Sequence, residues 1–392
     1  MTTTKPVKQN NSDGGFAARL DHPMLNFQIL LGATGLLLSL GIVMVASASS
    51  VFSYQQNNGN SWALATRQLI FAIIGVVLMI AVSKMHVDAI RRWAPLFMVI
   101  VGILLVVVLL VGTAVHGQKN WIDFGGPFRI QPSEFAKLAL VMWGADMLDR
   151  KYHLLEQRNH LLMPVLPVSA AVLGLVILQG DLGTAMVMMP IMASLLYFVG
   201  APRKWFLLMG GAGLAAIAAL SIAAPYRIAR FTSWLDPYAD AQGTGFQVIH
   251  GQQALGSGGW LGLGLGGSRE KWGTLPEAHT DFIYAVIGEE LGIFGTVSVL
   301  VLFTAIALVG LQIARKTNEA FIQIATLGIV AWIVTQALVN VGAVLGILPI
   351  TGVPLPLVSY GGSSLIPTLL AMGILMAFAK HEANLQVQKK VT

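Results

Sequence analysis

The run Pro276-Glu277-Ala278-His279-Thr280-Asp281-Phe282 sets three ionisable side chains in a polar loop, and an apolar stretch carrying Glu289 and Glu290 follows at once. Carboxylates at the mouth of an apolar helix are unfavourable to maintain, which makes them candidates for chemistry. Asp281 can take a proton from an attacking hydroxyl as a general base, or hold a divalent cation, Mg or Mn, against an anionic group. The alternative is structural: a carboxylate held by Lys137 that keeps the loop in shape. His279 can relay a proton or bind a metal, and a lone loop histidine equally serves as a hydrogen-bonding residue. No His, Asp and Glu set has zinc-site spacing.

The elements that would position these residues are membrane helices. Of the 392 residues, 55% are hydrophobic and 11% charged, the balance of an integral membrane protein. Single apolar runs exceed barrel-strand length several times over, so the fold class is all-α. About ten spans are expected, near 27–46, 64–83, 94–115, 134–148, 161–178, 183–199, 206–224, 282–313, 321–347 and 357–379. Residues 1–22 are polar and turn-rich and read as a flexible tail, 23–380 as one membrane domain, and 381–392 as a short cytoplasmic tail. The first apolar run lacks a small-residue cleavage site and reads as a retained signal anchor. The absence of cysteine excludes disulfides, thiolate metal sites and thiol catalysis.

Assigning the loops alternately to two sides places 16 of the 24 Lys and Arg residues on the side of the N-terminus, among them Lys84, Arg91, Arg92, Arg150, Arg203, Lys204, Arg315 and Lys316. The positive-inside bias then makes both termini cytoplasmic and the Asp281 loop extracytoplasmic. The net charge of +6 is mainly this topology signal. Without a basic, aromatic-interleaved patch in a soluble domain it gives no support to nucleic-acid binding.

One large extracytoplasmic loop is expected at about 225–281. Its Trp, Phe and Leu content suggests a segment that folds back onto the membrane face. Gly262, Gly264 and Gly267 satisfy G-x-G-x-x-G, but no strand precedes them and no helix with an acidic ribose ligand follows, so close backbone approach or turn flexibility is the better reading. Three smaller constellations fall on the same side. In Gln131-Pro132-Ser133-Glu134, Ser133 can cap a helix on which Glu134 and Lys137 lie one turn apart, as an ion pair or as part of a site. In Gln179-Gly180-Asp181-Leu182, Asp181 can cap the following helix. From Pro349 to Ser364, prolines break one helix, and Ser359, Gly361, Ser363 and Ser364 open the next; free N–H groups there can hold a diphosphate or the small residues can pack helices.

These motifs together resemble an ordered set. Gln131-Pro132-Ser133-Glu134 with Lys137, Asp181-Leu182-Gly183-Thr184-Ala185, Gly262-Leu263-Gly264, Pro276 to Phe282, Gly288-Glu289-Glu290-Leu291-Gly292, and Pro354-Leu355-Pro356 to Ser364 are similar to the motif series of the SEDS (shape, elongation, division and sporulation) family, over nearly the whole chain after residue 25. Ser268-Arg269-Glu270-Lys271-Trp272 and the segment from Trp121 to Pro127 look closer to the division branch, FtsW, in its actinobacterial form than to the elongation branch, RodA. The resemblance implies a peptidoglycan glycosyltransferase of the bacterial cytoplasmic membrane, at the division septum. It would polymerise lipid II on an undecaprenyl-linked glycan beside a class B penicillin-binding protein and other divisome membrane proteins. It further implies that Asp281 is essential and that Lys137 lies near it. Gly180 departs from a frequent proline, and the tail after Phe378 is short.

Joining a sugar hydroxyl to an anomeric carbon that carries a lipid diphosphate requires a base and charge compensation for the leaving group. Asp281 can be the base. Arg129, Lys137, Arg227, Arg230, Arg269 and Lys271 lie on the correct side to meet diphosphate, with Lys137, Arg230 and Lys271 the first choices. A second function class is a flippase of the lipid-linked precursor, for which Gln336 and Asn340 would line a polar path or simply join helices. The absence of an evident internal repeat and the gathering of ionisable groups at one face favour an enzyme. A non-catalytic scaffold would leave the acidic loop unexplained.

Overall fold

A computed structural model describes residues 23–115, 118–123, 125, 129–151, 158–198, 200–222 and 232–391. Ten long helices among the described residues match the ten apolar runs in order. They are α1 (Leu25–Gln56), α2 (Ala63–Ser83), α3 (Val87–Val111), α4 (Pro132–Arg150), α5 (Arg158–Leu178), α6 (Leu182–Phe198), α7 (Arg203–Ile222), α9 (Ile283–Lys316), α10 (Ala320–Val344) and α11 (Gly362–Val391). Six of them, α1 to α3 and α9 to α11, are long and apolar enough to cross a membrane. Packing separates centre from rim: 89% of the apolar window of α11 and 67% of that of α10 is buried, against 28% for α2 and α3. Nearly all of α4 is buried as well. The outward faces of α2 and α3 carry Ile73, Val77, Val99 and Ile103, all exposed, as expected where lipid is the solvent.

Three expectations need correction. The all-α class omits a small antiparallel sheet, β1 (Thr113–Val115), β2 (Gln118–Asp123) and β3 (Arg129–Ile130), in the order β1-β2-β3. The segment 225–281 is no plain loop; it contains the helix α8 (Phe246–Gly258) and 3₁₀ turns at Pro237–Asp240 and Glu270–Trp272. The tail placed at 381–392 has no boundary at its start, because α11 runs on to Val391. The 1–22 tail lies outside the described residues, as do Arg227 and Arg230.

Local chemistry explains where the helices nearest the loop begin and break. Pro132 starts α4 at its first position, where the missing N–H is not needed. Asp181 caps α6 through Thr184 N–H at 3.0 Å. Within α9, Gly292 has φ 66° and ψ −159°, a conformation open essentially to glycine alone, and the helix breaks there. The carbonyls this releases are not left unpaired. Leu263 N–H donates to Glu289 O at 2.9 Å and Gly264 N–H to Glu290 O at 3.0 Å. A Cβ at Gly262 would collide with the Glu290 carbonyl and one at Gly267 with the Leu263 carbonyl, so these two serve close backbone approach, whereas Gly264 has open space and serves its left-handed φ of 91°.

Candidate active site

Asp281 is the residue before Phe282, the N-cap of α9, and its main chain is tied down from several directions. Asn340 of α10 donates from Nδ2 to Asp281 O at 2.7 Å and to Val353 O at 2.8 Å. Ser359 Oγ donates to Thr280 O at 2.6 Å while accepting from Leu355 N–H at 2.8 Å. Tyr360 N–H donates to His279 O at 3.0 Å. The 276–282 loop and the 349–361 loop are thereby one unit. Their strain coincides: Glu277 (φ 54°) and Leu357 (φ 65°), one in each loop, are non-glycine residues in the left-handed region. Such strain persists only where surrounding contacts over-determine the backbone. The half-buried Asp281 carboxylate faces Gly352, where an added Cβ would sit 3.5 Å from Oδ2.

The His279 ring is buried between Phe52 and Tyr360, with centroids 5.0 and 5.6 Å away. Burial pushes its pKa below the ordinary value, against the opposing pull of Glu277. Burial likewise raises the Tyr360 hydroxyl, which Arg67 opposes by charge and hydrogen bond. Sequence reasoning does not single out Arg67, which along the chain is one cation at the start of an apolar run.

A second polar group joins this one from α4. Lys137, fully buried, donates from Nζ to Glu134 Oε1 at 2.8 Å and to Gln336 Oε1 at 2.7 Å, and lies 5.2 Å from the Trp332 ring centroid. Gln336 also accepts from Trp332 Nε1 at 2.7 Å and donates to Pro354 O at 2.9 Å. The ammonium is therefore held by Glu134 and Gln336, and Gln336, the 353–354 backbone and Asn340 link it to the Asp281 main chain. Gln336 and Asn340 both donate to backbone carbonyls and so join α10 to the loops before α9 and α11.

Asp181 gathers a third group. Its Oδ2 accepts from Gln131 Nε2 at 2.7 Å, Ser133 Oγ at 2.9 Å and Asn120 Nδ2 at 3.4 Å. Ser133 thus binds Asp181 and does not cap α4, whose N-cap Gln131 makes no side-chain cap bond. Ser363 Oγ donates to Arg129 O at 3.0 Å and accepts from Gln131 N–H at 3.2 Å, which binds this group to the start of α11. Gly361 N–H donates to Gln68 Oε1 at 3.1 Å, and Ser364 lies in the first turn of α11, half-buried. Arg129 pairs with Asp123 at 3.0 Å, with 53% of its side chain exposed.

Glu289, Glu290 and Lys271 belong elsewhere. Both acids are buried and hold the glycine-rich loop: Glu289 accepts from Ser268 Oγ at 2.6 Å and Arg269 N–H at 2.9 Å, and Glu290 accepts from Ser47 Oγ of α1 at 2.6 Å. Lys271 lies 3.7 Å from Glu290 and donates to Gly266 O at 2.6 Å. These three anchor the glycine-rich loop. Among the described residues no three His, Asp or Glu side chains converge to hold a metal. A divalent cation at Asp281 would take most of its ligands from the diphosphate and water.

The family model described as a cell cycle protein, covering FtsW, RodA and SpoVE, matches residues 28–384. The chain belongs to the FtsW/RodA/SpoVE family. Within that family it is 38% identical over 369 residues to the probable peptidoglycan glycosyltransferase FtsW of Mycobacterium tuberculosis, covering 94% of this chain and 70% of the relative. It is 39% identical to the stage V sporulation protein E of Bacillus subtilis, over 90% of this chain and 96% of the relative. Among solved structures, it superimposes with a TM-score of 0.70 and 28% identity on a chain from a structure described as showing the structural coordination of polymerization and crosslinking by a peptidoglycan synthase complex, covering 90% of this chain and 97% of that one. Against the rod shape determining protein RodA of Thermus thermophilus the TM-score is 0.64 at 26% identity, over 90% of this chain and 96% of that one.

Proposed function

We propose that this chain is a peptidoglycan glycosyltransferase that polymerises lipid II into β-1,4-linked glycan at the outer face of the bacterial cytoplasmic membrane during septal wall synthesis. The observation that carries the assignment of chemistry is the clamp around Asp281: a half-buried carboxylate in a loop whose backbone is held by Asn340 of α10 and by Ser359 and Tyr360 of a second loop. The names of the relatives, probable peptidoglycan glycosyltransferase FtsW in several bacteria, support the reaction class.

In this reading the acceptor hydroxyl oxygen attacks the anomeric carbon of the donor sugar. The new carbon–oxygen bond forms as the bond from that carbon to the diphosphate oxygen breaks. The hydroxyl proton passes to Asp281, and the electron pair leaves with undecaprenyl diphosphate. Arg129, exposed at the rim, and Arg67, beside Tyr360, are the described cations best placed to meet the diphosphate. Lys137 supports the site from within through Gln336. The ten helices all span the membrane, both termini are cytoplasmic, and the sheet and the 232–282 segment are extracytoplasmic, consistent with the Lys and Arg bias. A class B penicillin-binding protein is the expected partner, in keeping with the likeness to a peptidoglycan synthase complex.

The test is direct. Purified chain in proteoliposomes, alone and with its partner, is given lipid II, and products are separated by size, with Asp281→Asn as the matched control. Glycan polymer from the wild-type chain alone or with its partner, and none from the variant, is expected. No polymer in either preparation, under conditions where a known polymerase is active, overturns the assignment.

A further inference from the structure

The break at Gly292 divides α9 into two environments. Every residue from Ile283 to Glu290 is buried, and α8 and α1 pack against this helix. Beyond the break one face turns outward, with Ile293, Phe294, Val297, Val301 and Leu308 exposed at helical spacing. The part from Ile293 to Lys316 is about 36 Å long at 1.5 Å per residue, enough to cross a hydrocarbon core of about 30 Å, with Arg315 and Lys316 at its far end. The lipid-facing length of α9 therefore begins at the break. α1 changes character at the same level: its apolar run ends at Ala46, Ser47 to Gln56 is largely polar, and Ser47 is the residue bonded to Glu290.

At that level lies Trp260-Leu261-Gly262-Leu263-Gly264-Leu265. Its backbone is fixed to α9 by Ile293 N–H to Gly259 O at 3.0 Å, as well as by the Leu263 and Gly264 bonds to Glu289 and Glu290. Its side chains are turned away from the protein: Trp260 is 73% exposed, Leu261 80% and Leu265 62%. Rigid backbone with outward large apolar side chains, joined to the start of a lipid-facing stripe, calls for an apolar occupant.

We propose that this loop is seated in the bilayer, with Trp260 at the headgroup boundary and Leu261, Leu263 and Leu265 in the adjoining acyl region. Three observations favour lipid over a protein partner. The patch continues the exposed stripe of α9 through Ile293 and Phe294. Tryptophan is the residue that settles at membrane–water interfaces. The Gly262, Leu263 and Gly264 N–H groups at the centre of the loop already have carbonyl partners, so lipid around that part of the backbone strands none of the three. The inference rests on the chain spanning a membrane and is independent of the reaction it catalyses.

The chain has no cysteine, so single sites can be labelled without background. Leu261→Cys, Leu265→Cys and, as a reference on an exposed turn, Gln242→Cys would carry nitroxide labels in nanodiscs of phosphatidylethanolamine and phosphatidylglycerol containing this chain alone. Power-saturation measurements with oxygen and with a water-soluble nickel chelate then report depth. Positions 261 and 265 should favour oxygen and position 242 the chelate. If 261 and 265 collide with the chelate as freely as 242 does, the loop lies in water and the proposal fails. It fails equally if both labels are shielded from both reagents, which would mean that protein covers the patch.

Discussion

Asn340 donates to the main-chain carbonyl of Asp281 at 2.7 Å and from the same amide nitrogen to that of Val353 at 2.8 Å, so one buried amide joins α10, the loop before α9 and the proline-rich loop before α11. The loop that carries the carboxylate is thus held through its main chain. This separates the acid that would do chemistry from the residues that place it.

Asp281→Asn keeps the side-chain size and leaves the Asn340 bond intact, since that bond is to the backbone. The variant should fold and bind its partner normally, and polymerisation should fall by about 10²–10⁴, the usual worth of a general base. Initial rates with lipid II, set beside thermal unfolding in detergent, check both halves. Near wild-type turnover would remove Asp281 from base and cation-ligand roles alike.

Lys137→Met leaves Glu134 buried beside Gln336 with its cationic partner gone. Removing one member of a buried pair typically costs about 3–5 kcal/mol, so a lowered unfolding temperature should accompany any loss of activity. Adding Glu134→Gln should restore part of the stability. Should the single variant prove as stable as wild type, Lys137 would not be a structural support, and a direct role with substrate would have to be reconsidered.

Orientation can be read with a membrane-impermeant thiol reagent on a functional single-cysteine chain. Ser257→Cys, on the exposed face of α8, should label in intact cells, and Lys84→Cys, at the end of α2, only after permeabilisation. The opposite pattern would place the Asp281 face in the cytoplasm.

Helix positions were legible because uninterrupted apolar runs leave little alternative: Ala63–Ser83 and Pro132–Arg150 fall within two residues of the expected 64–83 and 134–148. The outer turns were not, since polar residues such as Ser47, Ser50 and Ser53 extend α1 ten residues beyond the apolar run 27–46 that marks a span. The 246–258 helix was hidden by its glycines and glutamines, and its stability comes from packing on α9. Glu289 and Glu290 read as part of the site because they follow Asp281 closely in sequence. Two turns of helix carry them to the glycine-rich loop, a displacement that composition does not encode. The Asp281, His279 and Ser359 group was legible because its residue types are unusual in an apolar chain, whereas Arg67 joins it, and Asn120 the Asp181 group, from segments distant in sequence.

The break in α9 gives a stability prediction. At Gly292 an alanine would meet both an unfavourable backbone region and the main chain of Trp260 and Gly262. Gly292→Ala should release the 259–267 loop, seen as faster chymotryptic cleavage near Trp260 and Leu261 and an unfolding free energy reduced by about 1–3 kcal/mol. Unchanged cleavage would show that the loop is held by the Glu289 and Glu290 side chains alone.

His279 supplies a pH dependence whose sign follows from burial. In the folded chain its pKa lies below the ordinary 6.5, first because the ring is buried and despite Glu277 nearby. As pH falls through about 6.5 the unfolded chain takes up a proton that the folded chain refuses, so stability declines from there down to the folded pKa and no further on this account. His279→Phe keeps an aromatic ring between Phe52 and Tyr360 but cannot titrate. Unfolding midpoints measured in detergent from about pH 8 to about pH 5 should slope downward with acid in wild type and less steeply in the variant. Equal slopes would mean that the acid sensitivity resides in other groups and that the His279 ring charges without penalty in the fold.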